Sequence, residues 1–372
     1  MKTGQVPISL DFIVLANAGV LQCYNTLSCD TLMANVAING FGRIGRLFFR
    51  RVWDDEDINI VAVNDLGSAE NLAYLLKYDT VYGRFEENVS AGDGCLRIDG
   101  RMVRFLQIKD PKGLPWKDLG VDLVVESTGV FDEYGKAQAH IEAGARRVVI
   151  TAPAKDPDGT EGKTILVGVN EGDVDKVVLT SNGSCTTNAV SPVIGVLSET
   201  LGIEKAILNT VHAYTATQSV VDGPSGKMRR GRAAAQNIVP STTGAALAVT
   251  RALPKMEGKF DGIALRIPVI SGSIADITFV SSRDTNEEEI NRIFREAAES
   301  PRWDGILAVT DEPIVSSDVI GEPYGAIVDL SFTKVVGGNL VKVLSWYDNE
   351  FGYVATLVKH IKAVLRTANR EL

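Results

Sequence analysis

A glycine-rich turn between a strand and a helix is the feature that most constrains how this chain folds. The apolar run 35–39 has the length and composition of a buried strand, and Gly40-Phe-Gly-Arg-Ile-Gly45 follows it directly. Apolar residues then recur at helical spacing, at Ile44, Leu47, Phe48 and Val52. In this context Gly40, Gly42 and Gly45 let the backbone approach a pyrophosphate at the helix N-terminus. The sequence therefore predicts a dinucleotide site, where the alternative is merely a tight turn.

An acidic residue after the next strand indicates which dinucleotide binds. The run 58–63 is a second predicted strand, and Asp65 stands about 20 residues beyond Gly45, where dinucleotide-binding turns place an acid. Its carboxylate accepts hydrogen bonds from ribose hydroxyls and repels a 2'-phosphate. We therefore expect NAD as the cofactor in preference to NADP.

Strands and helices alternate through the rest of the first half, which predicts a doubly wound, mostly parallel sheet of the Rossmann type. The further predicted elements are strands at 96–98, 103–106, 122–126 and 147–150 and a helix at 136–143. Ligands bind at the C-terminal ends of such strands, so we expect Ser127-Thr-Gly129 and Thr151 near the cofactor. The alternative for Ser127 is a hydroxyl that caps the backbone after it.

A single cysteine opens the next helical segment. Cys185 lies in Ser181-Asn-Gly-Ser-Cys-Thr-Thr-Asn188, just before an apolar helical pattern. A helix N-terminus offers unpaired N–H groups and the positive end of the dipole, and both favour a nucleophilic thiolate. The alternative is a buried, inert cysteine, but an apolar core has no use for the neighbouring hydroxyls. Pro192 predicts a helix that starts late or is kinked, with Cys185 at its N-terminal end in either case.

One of the three histidines is placed to serve that cysteine as a base. The run 206–212 predicts a strand that ends at His212. His140 and His360 lie within predicted helices, so we expect them to be surface or packing residues. His212 is therefore the candidate base, and the alternative is a hydrogen-bonded core histidine.

Three further segments have the chemistry of anion binding. The glycine-rich basic loop 222–232 either binds phosphate or forms a solvated turn. Pro240-Ser-Thr-Thr-Gly244 has the hydroxyls and glycine of an anion nest. Arg266 lies in the apolar strand 263–267, where a buried guanidinium needs an anionic partner, either a ligand phosphate or a structural Asp or Glu.

The second half predicts a different kind of sheet. Runs 274–280, 326–332 and 340–344 alternate as strands of an antiparallel or mixed sheet with helices on one face, an α+β arrangement. Thr285 and Glu288 have the spacing of a capping box at the start of one helix. We expect an NAD-binding domain at 34–183, completed by a C-terminal helix at 350–372, and a catalytic domain at 184–349.

Composition excludes several classes of protein. A net charge of -9 over 372 residues gives no general attraction to nucleic acid or anionic membrane. No apolar run reaches the ~18 residues of a membrane span. The four cysteines lack paired metal-ligand spacing, so we expect a reduced, cytoplasmic protein without a metal site. The apolar stretch 12–21 resembles a signal-peptide core, but Asp11 adjoins it, and we expect residues 1–33 to be a disordered extension or to precede the true start.

Five motifs, in order, resemble those of the phosphorylating glyceraldehyde-3-phosphate dehydrogenase family, and the resemblance runs from about Met33 to the end. They are Ile38-Asn-Gly-Phe-Gly-Arg-Ile-Gly-Arg46, Ser184-Cys-Thr-Thr-Asn188, His212-Ala-Tyr-Thr-Ala-Thr-Gln218, Pro240-Ser-Thr-Thr-Gly-Ala-Ala246 and Trp346-Tyr-Asp-Asn-Glu350.

The resemblance implies an activity and a set of roles. Cys185 forms a thiohemiacetal and then a thioester with glyceraldehyde 3-phosphate, His212 is the base, NAD accepts the hydride, and inorganic phosphate cleaves the thioester. The implied cofactor contacts are Arg43, Ile44, Asp65, Lys109, Thr151 and Asn349, of which Asn349 orients the nicotinamide amide. Thr215 and Arg266 match the residues that hold the substrate phosphate, and Ser184, Thr186, Thr243 and Gly244 match a second phosphate subsite. The resemblance also implies a glycolytic, cytoplasmic homotetramer.

The chain departs from the family pattern at three places. Leu247 stands where a lysine is usual, and Ala189 where a second cysteine is common. Pro268-Val-Ile-Ser-Gly272 replaces the usual Pro-x-Pro-Asn-Val. None of these changes removes a matched catalytic residue, although Leu247 alters the charge expected near the phosphate sites.

Other functions compatible with the motifs are a relative that acts on erythrose 4-phosphate, a relative that prefers NADP, and a catalytically idle NAD-binding scaffold. Asp65 and Pro224 match the NAD-using members, and Thr215 matches the triose enzyme. Cys185 and His212 argue against the scaffold, which needs neither.

Overall fold

Two large sheets organise residues 33–368, the part of the chain that the computed structural model of the protein describes. Apart from Met33, the predicted N-terminal extension lies outside the described residues, as do residues 369–372 of the predicted C-terminal helix. In the described part, no helix is both long and apolar enough to cross a membrane.

The strands of the described chain are numbered in order. They are β1 Ala34–Asn39, β2 Ile58–Asn64, β3 Tyr78–Asp79, β4 Gly83–Arg84, β5 Val89–Gly92, β6 Cys95–Ile98, β7 Arg101–Leu106, β8 Leu123–Glu126, β9 Arg147–Ile150, β10 Gly162–Thr164, β11 Leu179–Ser181, β12 Ile203–Ala213, β13 Val239–Thr242, β14 Phe260–Ile267, β15 Ser273–Ser281, β16 Leu307–Thr310, β17 Ala326–Val336 and β18 Leu340–Tyr347.

The helices are numbered in the same way. They are α1 Arg43–Val52, α2 Ala69–Lys77, α3 Tyr134–Glu142, α4 Cys185–Thr200, α5 Ala245–Ala252, α6 Glu287–Ala298 and α7 Phe351–Ala368, with short 3-10 helices at Pro111–Gly113, Glu171–Lys176, Met228–Gly231 and Pro254–Met256.

The first sheet has nine strands in the order β10-β11-β9-β8-β1-β2-β7-β6-β5. All neighbouring pairs from β10 to β7 are parallel, and β6 and β5 add an antiparallel edge. The central strands are buried on both faces, because helices cover both sides of a doubly wound sheet. The predicted Rossmann-type fold is confirmed.

The second sheet has seven strands in the order β13-β14-β12-β15-β18-β17-β16. It is mixed, with parallel pairs β12–β14 and β16–β17 among antiparallel ones. Along β15 buried residues alternate with partly exposed ones, because α4, α5 and α6 cover one face of the sheet. The predicted α+β arrangement with a mixed sheet is therefore confirmed.

The final helix packs on the first sheet. Leu357 and Ile361 of α7 belong to the same buried cluster as Val36 of β1 and Phe48 of α1. The apolar stripe of α7 thus faces the core of the nucleotide-binding half, although α7 follows the last strand of the other sheet.

One predicted helix start is wrong. Helix α6 is capped by Asn286, whose side chain accepts from the N–H of Glu289 at 2.8 Å, and not by Thr285 with Glu288. The Thr285 hydroxyl instead donates to the carboxylate of Glu289 at 2.7 Å. Two good capping residues stand side by side, and the chain uses the one whose side chain reaches the N3 amide.

Buried His360 of α7 is expected to make stability depend on pH. Burial lowers its pKa to about 3, whereas in the unfolded chain a histidine titrates near ~6.5. Below ~6.5 the unfolded state therefore binds a proton that the folded state does not, and stability falls as pH falls toward 3. We expect His360→Gln to reduce the loss of unfolding free energy between pH 7.5 and pH 5 by ~2 kcal/mol, measured by urea titration.

The Gln side chain can keep the donation that His360 Nδ1 makes to Asn182 Oδ1 at 3.0 Å. At pH 7.5 His360 is neutral in both the folded and the unfolded state, so its titration does not affect stability there. The difference in pH dependence between wild type and variant must therefore appear only on acidification. Equal pH slopes for the two proteins would refute the assignment.

Candidate active site

A cleft lies at the C-terminal ends of β1 and β8, where the strand order of the first sheet reverses. β1 and β8 are adjacent, and β2 and β7 lie on one side of them while β9, β11 and β10 lie on the other. Such a switch point is where doubly wound sheets bind ligands. The ends of the two strands, Asn39 and Glu126, lie side by side there.

The three glycines of the turn have three different surroundings at the cleft. Gly40 has φ of 94°, and a Cβ there would lie 2.6 Å from the amide nitrogen of Thr128. A Cβ at Gly45 would lie 2.2 Å from the carbonyl oxygen of Gly40, so this glycine is needed for close packing of α1. A Cβ at Gly42 would meet no atom within 4 Å, and Gly42 lines the cleft. The backbone is therefore open at Gly42, where a pyrophosphate would approach the N-terminus of α1.

The end of the cleft beyond Gly42 contains the predicted acid. A cavity of about 380 Å³ is lined by Asp65 and Lys109 together with the glycine turn. The Asp65 carboxylate accepts from the N–H of Phe41 at 2.7 Å and of Gly67 at 2.8 Å. These bonds fix the carboxylate beside the turn and leave lone pairs for ribose hydroxyls, so the residues present fit a bound NAD.

A buried hydrogen-bond network lies beneath the cleft. Trp116 Nε1 donates to Nδ1 of His140 at 3.0 Å, so the imidazole proton is on Nε2 and points to Glu126 Oε2 at 3.0 Å. Asn39 Nδ2 donates to the same oxygen at 2.6 Å. The other oxygen of Glu126 accepts from the N–H of Thr128 at 2.8 Å. His140 was expected to be either a surface or a packing residue. It is a buried packing residue beneath the cofactor cleft.

A second cavity, of about 470 Å³, continues the first one toward Cys185. The two share Ser127 and Thr128, so they form one cleft from Asp65 to the cysteine. Of the residues predicted from the sequence, this second cavity is lined by Arg43, Ile44, Thr151, Ser184, Cys185, His212, Thr215 and Asn349. The Arg43 guanidinium is itself paired with Asp79 and Glu350, so in this structure its side chain clamps the chain near Asn349.

Cys185 is the first residue of α4. Ser184 is the cap, because its Oγ accepts from the N–H of Thr187 at 3.1 Å and the Thr187 hydroxyl accepts from the N–H of Ser184 at 3.1 Å. The helix continues through Pro192 to Thr200, so the late start considered for it is wrong. The capping box lets the helix begin at Cys185, where first-turn N–H groups are unpaired.

Cys185 and His212 are in contact. Sγ lies 3.3 Å from Nε2, and Nδ1 lies 2.7 Å from the carbonyl oxygen of Ala213 and 2.6 Å from Nη1 of Arg266. In the tautomer with the proton on Nδ1, the Ala213 oxygen accepts that proton and Nε2 is free to accept one from sulfur. Burial and the nearby Arg266 charge lower the pKa of His212 to about 3. Burial raises the pKa of the Cys185 thiol, against the Arg266 charge and the Thr186 N–H, which lower it.

The register of the second sheet places Arg266 beside the base. His212 of β12 is paired with Arg266 of β14, and Nη1 of the arginine lies 2.6 Å from Nδ1 of the histidine and 3.1 Å from Ala213 O. Among the described residues no Asp or Glu pairs with Arg266, and its Nε is buried without a partner. A structural carboxylate was one of two expected partners, and its absence from residues 33–368 favours a ligand anion.

Arg230 is a site residue that sequence reasoning missed. It donates to Thr217 Oγ1 at 3.1 Å, and that hydroxyl lies 3.0 Å from the hydroxyl of Thr215. It also donates to Ser241 at 3.0 Å. Its charge contributes to lowering the pKa values of both His212 and Arg266. The signal was the basic loop 222–232, but composition does not say which of its arginines turns toward the site.

Three residues predicted for a second phosphate subsite do not line the Cys185 cavity. Thr186 is buried, and its hydroxyl lies 3.0 Å from that of Tyr347. The hydroxyl of Thr243 accepts from the N–H of Ala245 at 3.2 Å, and Gly244 immediately precedes α5. Ser184 does line the cavity, so the four predicted residues are divided between the cavity wall and its surroundings.

The chain matches two family models. That of the glyceraldehyde 3-phosphate dehydrogenase NAD binding domain covers residues 34–134, and that of the C-terminal domain covers residues 184–349. The chain belongs to the glyceraldehyde-3-phosphate dehydrogenase family. This membership confirms the predicted enzyme class, an NAD-dependent phosphorylating aldehyde dehydrogenase of glycolysis, and NAD as its cofactor.

Curated relatives are similar over nearly their whole length. Glyceraldehyde-3-phosphate dehydrogenase 2 of Bacillus subtilis is 46% identical over 340 residues, which is 90% of this chain and 98% of the relative. The glyceraldehyde-3-phosphate dehydrogenase of Thermotoga maritima is 48% identical over 337 residues, covering 90% of this chain and 100% of the relative. That of Streptomyces coelicolor is 48% identical over 326 residues, which is 87% of this chain and 96% of the relative. These names support the triose substrate and do not favour the erythrose, NADP-preferring or scaffold alternatives.

Proposed function

We propose that Cys185 and His212 together carry out the oxidation and phosphorylation of glyceraldehyde 3-phosphate in this protein. The observation that carries the proposal is the 3.3 Å contact between Sγ and Nε2 at the inner end of the NAD cleft. As sulfur attacks the aldehyde carbon, Nε2 accepts the thiol proton and returns it to the carbonyl oxygen, which gives a thiohemiacetal.

The oxidation step returns His212 to the role of base. NAD bound in the cleft would supply the acceptor for the hydride of the thiohemiacetal carbon. His212 takes the hydroxyl proton as the C=O bond of the thioester forms. It passes this proton back to sulfur when phosphate displaces the thiol.

The anion-binding residues form two sets, one for the phosphate of the substrate and one for the attacking inorganic phosphate. We assign the substrate phosphate to Thr215 and Arg266, supported by the absence of a carboxylate partner for Arg266 in residues 33–368. Arg230 joins them through the Thr217 hydroxyl. Ser184, Thr186, Thr243 and Gly244 are assigned to the attacking phosphate on the family resemblance, with Ser184 on the cavity wall.

The cofactor residues follow the cleft from one end to the other. Asp65 and Lys109 are assigned to the adenosine end, and the open backbone at Gly42, Arg43 and Ile44 to the pyrophosphate. Thr151 and Asn349 line the inner cavity and are assigned to the nicotinamide end. The boundaries 34–183 with α7, and 184–349, are proposed as the two domains that meet at this cleft.

We further propose a cytoplasmic homotetramer. Support comes from large apolar side chains on the face of the second sheet opposite its helices, where Ile207 is 59% exposed, Phe332 53% and Val336 63%. Val220 and Val221, just before the basic loop, and Met228 within it are also exposed. Apolar patches of this kind mark surfaces that other chains cover. Native mass measurement tests the assembly, and a monomer at micromolar concentration would refute it.

The reaction itself is tested by omitting one component at a time. NADH formation is expected to require glyceraldehyde 3-phosphate and inorganic phosphate together, and a mass spectrum taken without phosphate should show the acyl adduct on the peptide that contains Cys185. Equal steady-state rates with and without phosphate or arsenate would instead indicate a non-phosphorylating enzyme. A kcat/KM higher for erythrose 4-phosphate would overturn the substrate.

Arg266 is expected to act on both the nucleophile and the substrate. Its positive charge lowers the pKa of Cys185, so Arg266→Met should raise that pKa and move the alkylation of Cys185 by iodoacetamide to higher pH. The KM for glyceraldehyde 3-phosphate should rise about 10- to 100-fold, as the loss of a charge-assisted contact predicts. Arg292→Met, at an exposed ion pair on α6, is the matched control. An unchanged alkylation profile would contradict the electrostatic role.

A further inference from the structure

Two buried serines lie against the residue assigned to the nicotinamide amide. Ser271-Gly272 stands where the family usually has Asn-Val, and Ser273 begins β15. The Ser273 hydroxyl lies 2.9 Å from Oδ1 of Asn349, and that of Ser271 lies 3.4 Å from the same atom. Both serines are at most 2% exposed, so water does not compete for these contacts.

The hydrogen bonds of Ser273 determine which way the Asn349 amide faces. The N–H of Ala213 donates to Ser273 Oγ at 3.1 Å, and the hydroxyl's own proton is then donated to Asn349. The atom that receives it must be an acceptor, which in an amide is Oδ1 and not Nδ2. Nδ2 is therefore left to the cavity that Asn349 lines.

We propose that Ser273, assisted by Ser271, is a positioning residue that holds the Asn349 amide with Nδ2 toward the cofactor cleft. In this orientation Nδ2 can donate to the carbonyl oxygen of the nicotinamide carboxamide but cannot accept from its NH₂ group. The contact therefore selects one orientation of that carboxamide. The inference rests on the proposed role of Asn349, and it adds the reason why that side chain does not flip.

The glycine between the serines makes the arrangement possible. Gly272 has φ of 86°, and a Cβ there would lie 2.0 Å from the carbonyl oxygen of Ser316. Only glycine allows the chain to pack against that backbone while its two neighbours approach the 348–349 turn. The single hydroxyl proton of Ser271 goes to Asp348 at 3.0 Å, and Tyr82 donates to the same carboxylate at 2.8 Å, so Ser271 acts by fixing the residue before Asn349.

The same hydroxyl joins the amide to the catalytic base. Ala213 donates its N–H to Ser273, and its carbonyl oxygen accepts from Nδ1 of His212. Ser273 thus connects the end of β12, which carries His212, to the turn that carries Asn349. Both groups are held in place before substrate binds.

The test compares two ligands that differ only in the nicotinamide. Dissociation constants for NAD and ADP-ribose are measured with the full-length protein by calorimetry. Ser273→Ala is expected to weaken NAD about 3- to 10-fold, the effect of one lost hydrogen bond, and to leave ADP-ribose unchanged. Ser271→Ala should give a smaller loss of the same selectivity. Ser281→Ala, a buried serine at the other end of β15, is the matched control and should change neither.

Asn349→Ala separates this inference from the proposed function. It should weaken NAD and not ADP-ribose, and if it changes neither, the role assigned to Asn349 is wrong. In the Asn349→Ala background, Ser273→Ala should cause no further loss of NAD affinity. Equal losses for NAD and ADP-ribose, no loss at all, or full additivity of the two substitutions would overturn the positioning role of Ser273.

Discussion

Replacing Cys185 with serine is expected to lower kcat by about 10⁴-fold or more, with NAD affinity changed less than about twofold. The thiol is activated by a neighbour whose pKa is lowered to about 3. A hydroxyl is a far weaker acid than a thiol and a poorer nucleophile, so the same imidazole does not activate serine to a comparable extent. Steady-state kinetics and a calorimetric NAD titration measure the two quantities.

The second free cysteine of the described chain provides the control for this variant. Cys95 lies in β6, away from the cleft, and is half-buried like Cys185. Cys95→Ser should therefore keep the full rate. If Cys185→Ser kept even a tenth of the activity, the proposed covalent mechanism would be wrong.

Replacing His212 with asparagine is expected to slow the reaction about 100-fold or more, the usual contribution of a general base. The Asn amide can still donate to Ala213 O, as Nδ1 does at 2.7 Å, but it offers no basic atom to Sγ. The pH profile of kcat/KM should change shape, because it reports the coupled titration of the Cys185–His212 pair. The profile is measured from pH 5 to pH 9 with wild type and variant in parallel.

His360→Gln is the matched control, since His360 is equally buried but belongs to α7 behind the cleft. Its pH profile of kcat/KM at temperatures well below unfolding should coincide with that of the wild type. A His212→Asn profile with the same shape as that of the wild type would remove His212 from the role of base.

The pattern of apolar residues along the chain predicted much of the fold. The strands that carry the site, β1, β2, β9, β12 and β14, contain the predicted apolar runs, although β12 and β14 each begin three residues earlier than predicted. Burial on both faces makes such runs continuous in a parallel sheet, and a one-sided sheet makes them alternate. Local rules failed where two residues compete for one role, as Thr285 and Asn286 do at the start of α6.

Local sequence was a weaker guide to side-chain direction. The family resemblance predicted both Ser184 and Thr186 as phosphate ligands. In the folded chain Ser184 caps α4 while lining the cavity, and Thr186 turns inward to Tyr347. On a helix successive residues point about 100° apart, so neighbours in sequence face different surroundings.

By itself, the sequence determined the kinds of group available and the local structures that present them: a glycine-rich turn at 40–45, an acid at Asp65, and a thiol at a helix N-terminus. Tertiary structure decided which groups meet. The parallel register of β12 and β14 brings Arg266 to His212, and the fold brings β12 to the N-terminus of α4 so that Nε2 touches Sγ. It also turns Arg230 inward and seats Asn349 on Ser273. These contacts join residues far apart along the chain, and their geometry depends on strand order and register, which no short stretch of sequence specifies.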